Sequence, residues 1–286
     1  MALSRRSFLE LTAVGLAGFT SSPHILRAEP KSAAKVRIGI TDWNLRLEGK
    51  PEAVEMAGRL GFEGVEVSLG VGSDALPLAD KTLQQTYLAE LQKHGVAITS
   101  TCLNILHRNY LKSDPLGQRW VRDSIGITRD LGARVILLPF FGKGALKTRE
   151  ERDFVSDFLK KVGPDAEKAG IILGLENENS AEENVYMLER IQSPSVKVYY
   201  DVGNSTRGGY DVVKEIRWLG RDRICQFHLK DNPHLLGQGK IDFPAIISAI
   251  KDIRYSGWAN LETGSPNNDI SKDLPTNLAY IRNLLA

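Results

Sequence analysis

Short β-branched runs alternate with long segments of helical periodicity from residue 36 to the end of the chain. The runs are VRIGITDW (36–43), GVEVSLG (64–70), AITSTCL (97–103), RVILLPF (134–140), IILGLEN (171–177), VKVYYDV (196–202), ICQFHLK (224–230) and WANLETG (258–264), eight in all. Between them lie amphipathic stretches such as PEAVEMAGRLG, KTLQQTYLAELQKHG, QRWVRDSIGITRDLG and RDFVSDFLKKVGPDAEKAG, most of them stopped by a glycine where a helix C-cap belongs. Run ends recur every 25 to 37 residues, the length of one strand plus a crossover helix.

Near-continuous apolar strands joined by helices specify the α/β class, with a parallel sheet covered on both faces. Eight such units in about 250 residues match a closed (β/α)8 barrel, the TIM barrel, as a single domain over residues 29–286. The competing open, doubly wound sheet would favour a glycine-rich phosphate loop after its first strand. Here that strand runs into TDWNLRLEG, with neither GxGxxG nor a Walker loop.

Residues 1–28 stand apart from this alternation. SRRSFLE sets two arginines directly before LTAVGLAGF, an apolar segment too short to span a bilayer. The pattern resembles a twin-arginine export signal ending near Ala28 in LRA, which implies passage through the twin-arginine export machinery to the periplasm. Over the whole chain, 37 Lys and Arg are scattered against 35 Asp and Glu, so neither nucleic acid nor an anionic membrane is indicated as a partner. Cys102 and Cys225 each sit inside an apolar run and read as buried free thiols.

A barrel assigns chemistry to the C-terminal ends of its strands. The fifth strand ends in Glu176, the sixth in Asp201, the seventh in His228 and the eighth in Glu262. Singly, each has a bland reading: a solvated glutamate, a turn-forming aspartate before glycine, a packed histidine. Together they fall on one rim, where three carboxylates without a cation would repel one another by several kcal/mol. Three carboxylates and one imidazole, with no thiolate, suit an octahedral, oxygen-rich divalent site with Mn2+ first and Co2+, Mg2+ or Zn2+ behind it.

GLENENS, YYDVGN, FHLKD, GQGKIDFPAIISAI and YSGWANLETG, in that order, resemble the xylose isomerase-like barrel superfamily, in particular the sugar phosphate isomerase/epimerase group that includes ketose 3-epimerases. The resemblance spans roughly residues 36–286 and is most specific in the C-terminal half. It implies that Glu176, Asp201, His228 and Glu262 bind one divalent metal, and that Glu176 and Glu262 also serve as base and acid. The chemistry is proton transfer beside a sugar carbonyl. A Lewis-acidic ion stabilises the enediolate, and two carboxylates on opposite faces remove and return the proton. Return to the opposite face gives an epimerase, return to the adjacent carbon an aldose–ketose isomerase. Loss of a β-leaving group gives a lyase or dehydratase acting on a keto-sugar or keto-cyclitol.

Ketose 3-epimerases of this group commonly carry His three residues after the metal Asp and Arg six after the metal His. This chain has Asn204 and His234 there, which leaves a modified, larger or keto-sugar substrate open. Lys230 shares the face of His228 by strand alternation and is positioned to pair with Glu262 or polarise a substrate oxygen. Trp43, Asn104, His107, Phe140, Phe141 and Lys143 follow other strand ends, and flat aromatic faces suit the C–H side of a sugar. Glu182 occupies the place of a substrate contact in the group, though Ser180 with Glu182 or Glu183 reads equally well as a helix cap. With five histidines in all and no basic groove, the three-zinc endonuclease IV type is disfavoured. A non-catalytic sugar-binding barrel remains the alternative of a different class, and barrels of this group often form homo-oligomers.

Overall fold

The computed structural model describes residues 35–72 and 75–286; the expected export signal at 1–28 lies outside the described residues. The eight strands are β1 (Val36–Thr41), β2 (Gly64–Ser68), β3 (Ala97–Cys102), β4 (Val135–Pro139), β5 (Ile172–Glu176), β6 (Val196–Asp201), β7 (Ile224–Leu229) and β8 (Gly257–Leu261). All neighbours are parallel and the sheet closes in sequence order, with β8 pairing back onto β1. The closed barrel is the architecture that the alternation predicts.

The intervening helices are α1 (Glu52–Arg59), α2 (Lys81–His94), α3 (Pro115–Asp130), α4 (Arg149–Ala169), α5 (Ala181–Ile191), α6 (Val202–Arg207), α7 (Val212–Arg223), α8 (Phe243–Asp252) and α9 (Ile270–Leu285). Their ends follow local chemistry. Thr148 and Glu151 form a reciprocal capping box at the start of α4, and Gly170 ends it at φ 69°, a left-handed conformation that favours glycine. Asp80 caps α2, and Gly95 closes it at φ 63°.

The strands are not uniformly apolar. Their outward side chains, among them Ile38, Ile40, Val65, Val67, Leu138, Leu173, Leu175, Phe227 and Leu229, are buried in the main hydrophobic core. The lumen combines a small apolar cluster of Cys102, Val135, Leu137 and Tyr199 with a polar network in which Glu66, Ser100, Tyr199, Gln226, His228 and Asn260 are buried and hydrogen-bonded across the barrel. Polar residues at alternate strand positions therefore mark the inner face, as the pleat requires. Cys102 is buried and Cys225 half-buried, both free, with the Cys225 thiol donating to the Val198 carbonyl at 3.3 Å.

Asp42 ties the first loop to β2. Its Oδ2 accepts from the Gly49 and Ser68 amides at 2.9 and 2.8 Å, and its Oδ1 accepts from the Ser68 hydroxyl at 2.8 Å. Burial raises its pKa from 3.8 to about 7, against the opposing pull of those hydrogen bonds. A carboxyl that binds its proton more tightly when folded supports stability below its unfolded pKa and loses that support as pH rises to the folded value. Relative to Asp42→Asn, the wild type is expected to lose about 1.4 kcal/mol of stability per pH unit between pH 4 and 7, then level off. Urea unfolding of both proteins at several pH values measures this, and parallel profiles would refute it.

Candidate metal centre and active site

Strand register brings the rim residues to one level. Asp201 on β6 lies directly opposite His228 on β7, and Glu176 on β5 lies opposite Pro139 on β4. Glu262 follows β8, and its amide bonds to the Leu229 carbonyl at 3.0 Å. One potential ligand atom from each of Glu176, Asp201, His228 and Glu262 lies within 4.8 Å of all the others. The imidazole is central: Nδ1 is 3.0 Å from Glu176 Oε1, 3.3 Å from Glu262 Oε2 and 3.8 Å from Asp201 Oδ2.

Asp201 divides its two oxygens between local structure and the site. Oδ1 caps α6 by accepting from the Asn204 amide at 2.8 Å, which holds the carboxylate plane. Oδ2 faces the cluster and contacts Lys230 Nζ at 2.7 Å. Lys230 also reaches Glu262 Oε2 at 2.6 Å, so the expected Lys230–Glu262 pair is formed and Asp201 shares the ammonium.

Electrostatics separates the acidic residues. Burial raises Glu176 from 4.5 to about 8 despite attraction to His228, with Glu262 and Asp201 pushing the same way as burial. Burial also raises Asp201, with Lys230 opposing. Burial would raise Glu262 too, but His228 and Lys230 outweigh it and hold that carboxyl below its usual range. For His228, burial favours the neutral ring, yet Glu66, Glu262 and Glu176 outweigh it and raise the pKa well above 6.5. Buried carboxyls held up in this way are short of positive charge, and a dication among them would pull them down. The donor set and its compactness fit a divalent ion.

A cavity of about 450 Å3 opens above the cluster, walled by Trp43, Glu48, Asn104, His107, Phe141, Glu178, Asn204, Arg207, Lys230 and the two glutamates. Trp43 Nε1 donates to Glu262 Oε1 at 3.3 Å, and His107 stacks on Phe141 with ring centroids 6.2 Å apart. Phe140 is core, while Lys143 is exposed and does not line this cavity. Two of the expected substrate contacts lie outside this cavity. Glu182 is exposed on the first turn of α5 because Ser180 and Glu183 form the capping box there, and Glu178 takes the cavity wall instead. His234 lines a neighbouring cavity of about 370 Å3 with Lys240 and Asn232, because the loop after β7 carries it away from the rim. Arg207 and Lys230 line both cavities.

Glu66 and Arg207 were not among the expected site residues, whereas Glu178, which the sequence left open between lining the pocket and opening the loop to α5, lines the cavity. Glu66 had a signal: a charged residue in the middle of GVEVS, a strand buried along its whole length. Arg207, at the end of a six-residue helix, carried none.

A closed parallel barrel whose last four strands converge Glu, Asp, His and Glu on one point has a donor group that could hold a divalent ion at the barrel mouth. The chain belongs to the xylose isomerase-like TIM barrel family, whose profile matches residues 54–284. It is 30% identical over 238 residues to SgbU of Escherichia coli K12, covering 72% of this chain and 81% of that one, and 27% identical over 225 residues to the L-ribulose-5-phosphate 3-epimerase UlaE of Escherichia coli SMS-3-5, covering 72% and 79%. Among solved structures it resembles an L-ribulose 3-epimerase (TM-score 0.72, 20% identity, 88% and 95% covered). It also resembles the 3-keto-D-glucoside 4-epimerase YcjR from Escherichia coli (TM-score 0.74, 17% identity, 87% and 100% covered). With this family and these relatives, the chain is an isomerase-class sugar enzyme.

Proposed function

We propose that the protein is a divalent-metal-dependent sugar epimerase or isomerase that moves a proton beside the carbonyl of a ketose or keto-sugar. The observation that carries this reading is the convergence of Glu176, Asp201, His228 and Glu262 within 4.8 Å at the floor of an open cavity. These four residues would hold the ion, Mn2+ first and Co2+, Mg2+ or Zn2+ behind it. When bound, it supplies Lewis acidity for a carbonyl oxygen and the neighbouring hydroxyl.

The chain's own groups supply the rest. Glu176 and Glu262 approach the imidazole from different strands, so a sugar carbon between them meets a carboxyl on each face. One removes the proton and the other delivers one, and the reverse reaction exchanges their parts. His228 and Lys230 together keep Glu262 ionised, and Lys230 is placed to donate to a substrate oxygen. Trp43 orients Glu262 through its indole N–H and offers, with Phe141, an apolar face to the C–H side of a sugar. His107 and Asn204 supply hydrogen bonds to hydroxyls.

The second cavity favours a substrate longer than a free ketose, since it lies beside the first and shares Arg207 and Lys230 with it. The same cavity leaves room for a departing group, which is what favours the lyase as the second reading. Residues 1–28 are proposed to act as a twin-arginine export signal that directs the enzyme to the periplasm, where it works as a homo-oligomer.

The test is deuterium incorporation from D2O across free ketoses, ketose phosphates and 3-keto-glycosides, followed by NMR with the metal-loaded protein. At least one class should take up deuterium at the carbon next to its carbonyl, and the product then separates epimerase, isomerase and lyase. No uptake in any class would remove the enediolate reading.

A further inference from the structure

The barrel buries another carboxylate directly beneath the rim. Glu66, in the middle of β2, is 0% exposed, and its Oε2 lies 2.7 Å from His228 Nε2 across the lumen. The same oxygen accepts from the Tyr199 hydroxyl at 2.9 Å and from Asn260 Nδ2 at 3.1 Å. A carboxylate this deep costs several kcal/mol unless donors compensate it, and three donors converge here. Tyr199 also packs edge-on against the His228 ring with centroids 4.6 Å apart, which fixes the ring plane.

We infer that Glu66 is a positioning residue for the metal site. It keeps the proton on His228 Nε2, which leaves the Nδ1 lone pair directed at the point where Glu176, Asp201 and Glu262 converge. The two nitrogens of a neutral imidazole cannot both donate, so the carboxylate at one determines what the other offers. The negative charge behind the ring also makes Nδ1 a stronger donor to a cation. Tyr199 and Asn260 hold Glu66 in turn, extending the support of one ligand on β7 to β2, β6 and β8.

This inference rests on the metal reading of the rim, and the experiment separates the two. Mn2+ is titrated by calorimetry into metal-stripped wild type, Glu66→Gln, His228→Ala and the double variant. Glu66→Gln, nearly isosteric, should weaken Mn2+ binding by about 10- to 100-fold. In the His228→Ala background the same change should cost less than about twofold, because the ligand through which Glu66 acts is gone. An equal loss in both backgrounds, or unchanged affinity in Glu66→Gln, overturns the positioning role. A wild type that binds none of Mn2+, Co2+, Mg2+ and Zn2+ overturns the metal reading itself. If a variant does not fold, 15N-histidine NMR of the Zn2+-loaded wild type decides: His228 should carry its proton on Nε2 and the metal on Nδ1, and the reverse assignment refutes the proposal.

Discussion

Replacing Glu176 by glutamine is expected to lower proton exchange between solvent and substrate by about 10^4-fold, and Glu262→Gln should do the same. The amide keeps the shape and hydrogen-bonding reach of the side chain but cannot shuttle a proton. Both carboxyls lie within 3.3 Å of His228 Nδ1, so neither position is peripheral to the cluster. The two effects should not add, because removing either partner already breaks a relay that needs both. In the metal-free proteins, removing one of three crowded carboxylates relieves repulsion, so both variants compared after chelation should melt within a few degrees of chelated wild type. The measurement is deuterium wash-in by NMR, with thermal unfolding as the control for folding. A Glu176→Gln enzyme that still exchanges at more than about a tenth of the wild-type rate would exclude that residue as an acid or base.

Stripping divalent metal is expected to abolish exchange and to lower the melting temperature by roughly 10 °C. The size follows from linkage: an ion present at about 1,000 times its Kd stabilises the folded state by about 4 kcal/mol. The residues at stake are buried. Asp201 and Glu176 are held above their ordinary pKa values chiefly by desolvation, and His228 is completely enclosed. Without a dication, the described charges that compensate this acidic group are His228 and Lys230, which is shared between Asp201 and Glu262. Calorimetric scans before and after chelation, and after adding back each metal, measure both effects. A chelated protein with unaltered melting and undiminished exchange would show that the cluster works without an ion.

Much of this architecture is legible before any coordinates. Strands and helices are local events, written in β-branched runs, helical periodicity and capping residues such as Thr148, Glu151 and Gly170. The four rim residues are legible for a related reason: each lies within one residue of the end of its strand, and in a parallel barrel every strand ends on the same face. Loop residues follow no such rule. Glu182 and His234 were placed by spacing after Glu176 and His228, but Glu182 falls on the outer side of a capped helix and His234 in a neighbouring cavity. Glu178 and Arg207, which do reach the cavity, come from segments whose course depends on packing and not on a repeating pattern.

By itself, then, the sequence determined the eight strands, their parallel sense and the four ionisable residues at the ends of the last four, because each depends on the chemistry of a few neighbouring residues. Only the tertiary structure decided that Glu66 meets His228, 162 positions away, and that Lys230 is shared by Asp201 and Glu262. Closure of β8 onto β1 turns alternate strand positions inward, and the resulting lumen forces distant polar side chains to satisfy one another where water cannot reach.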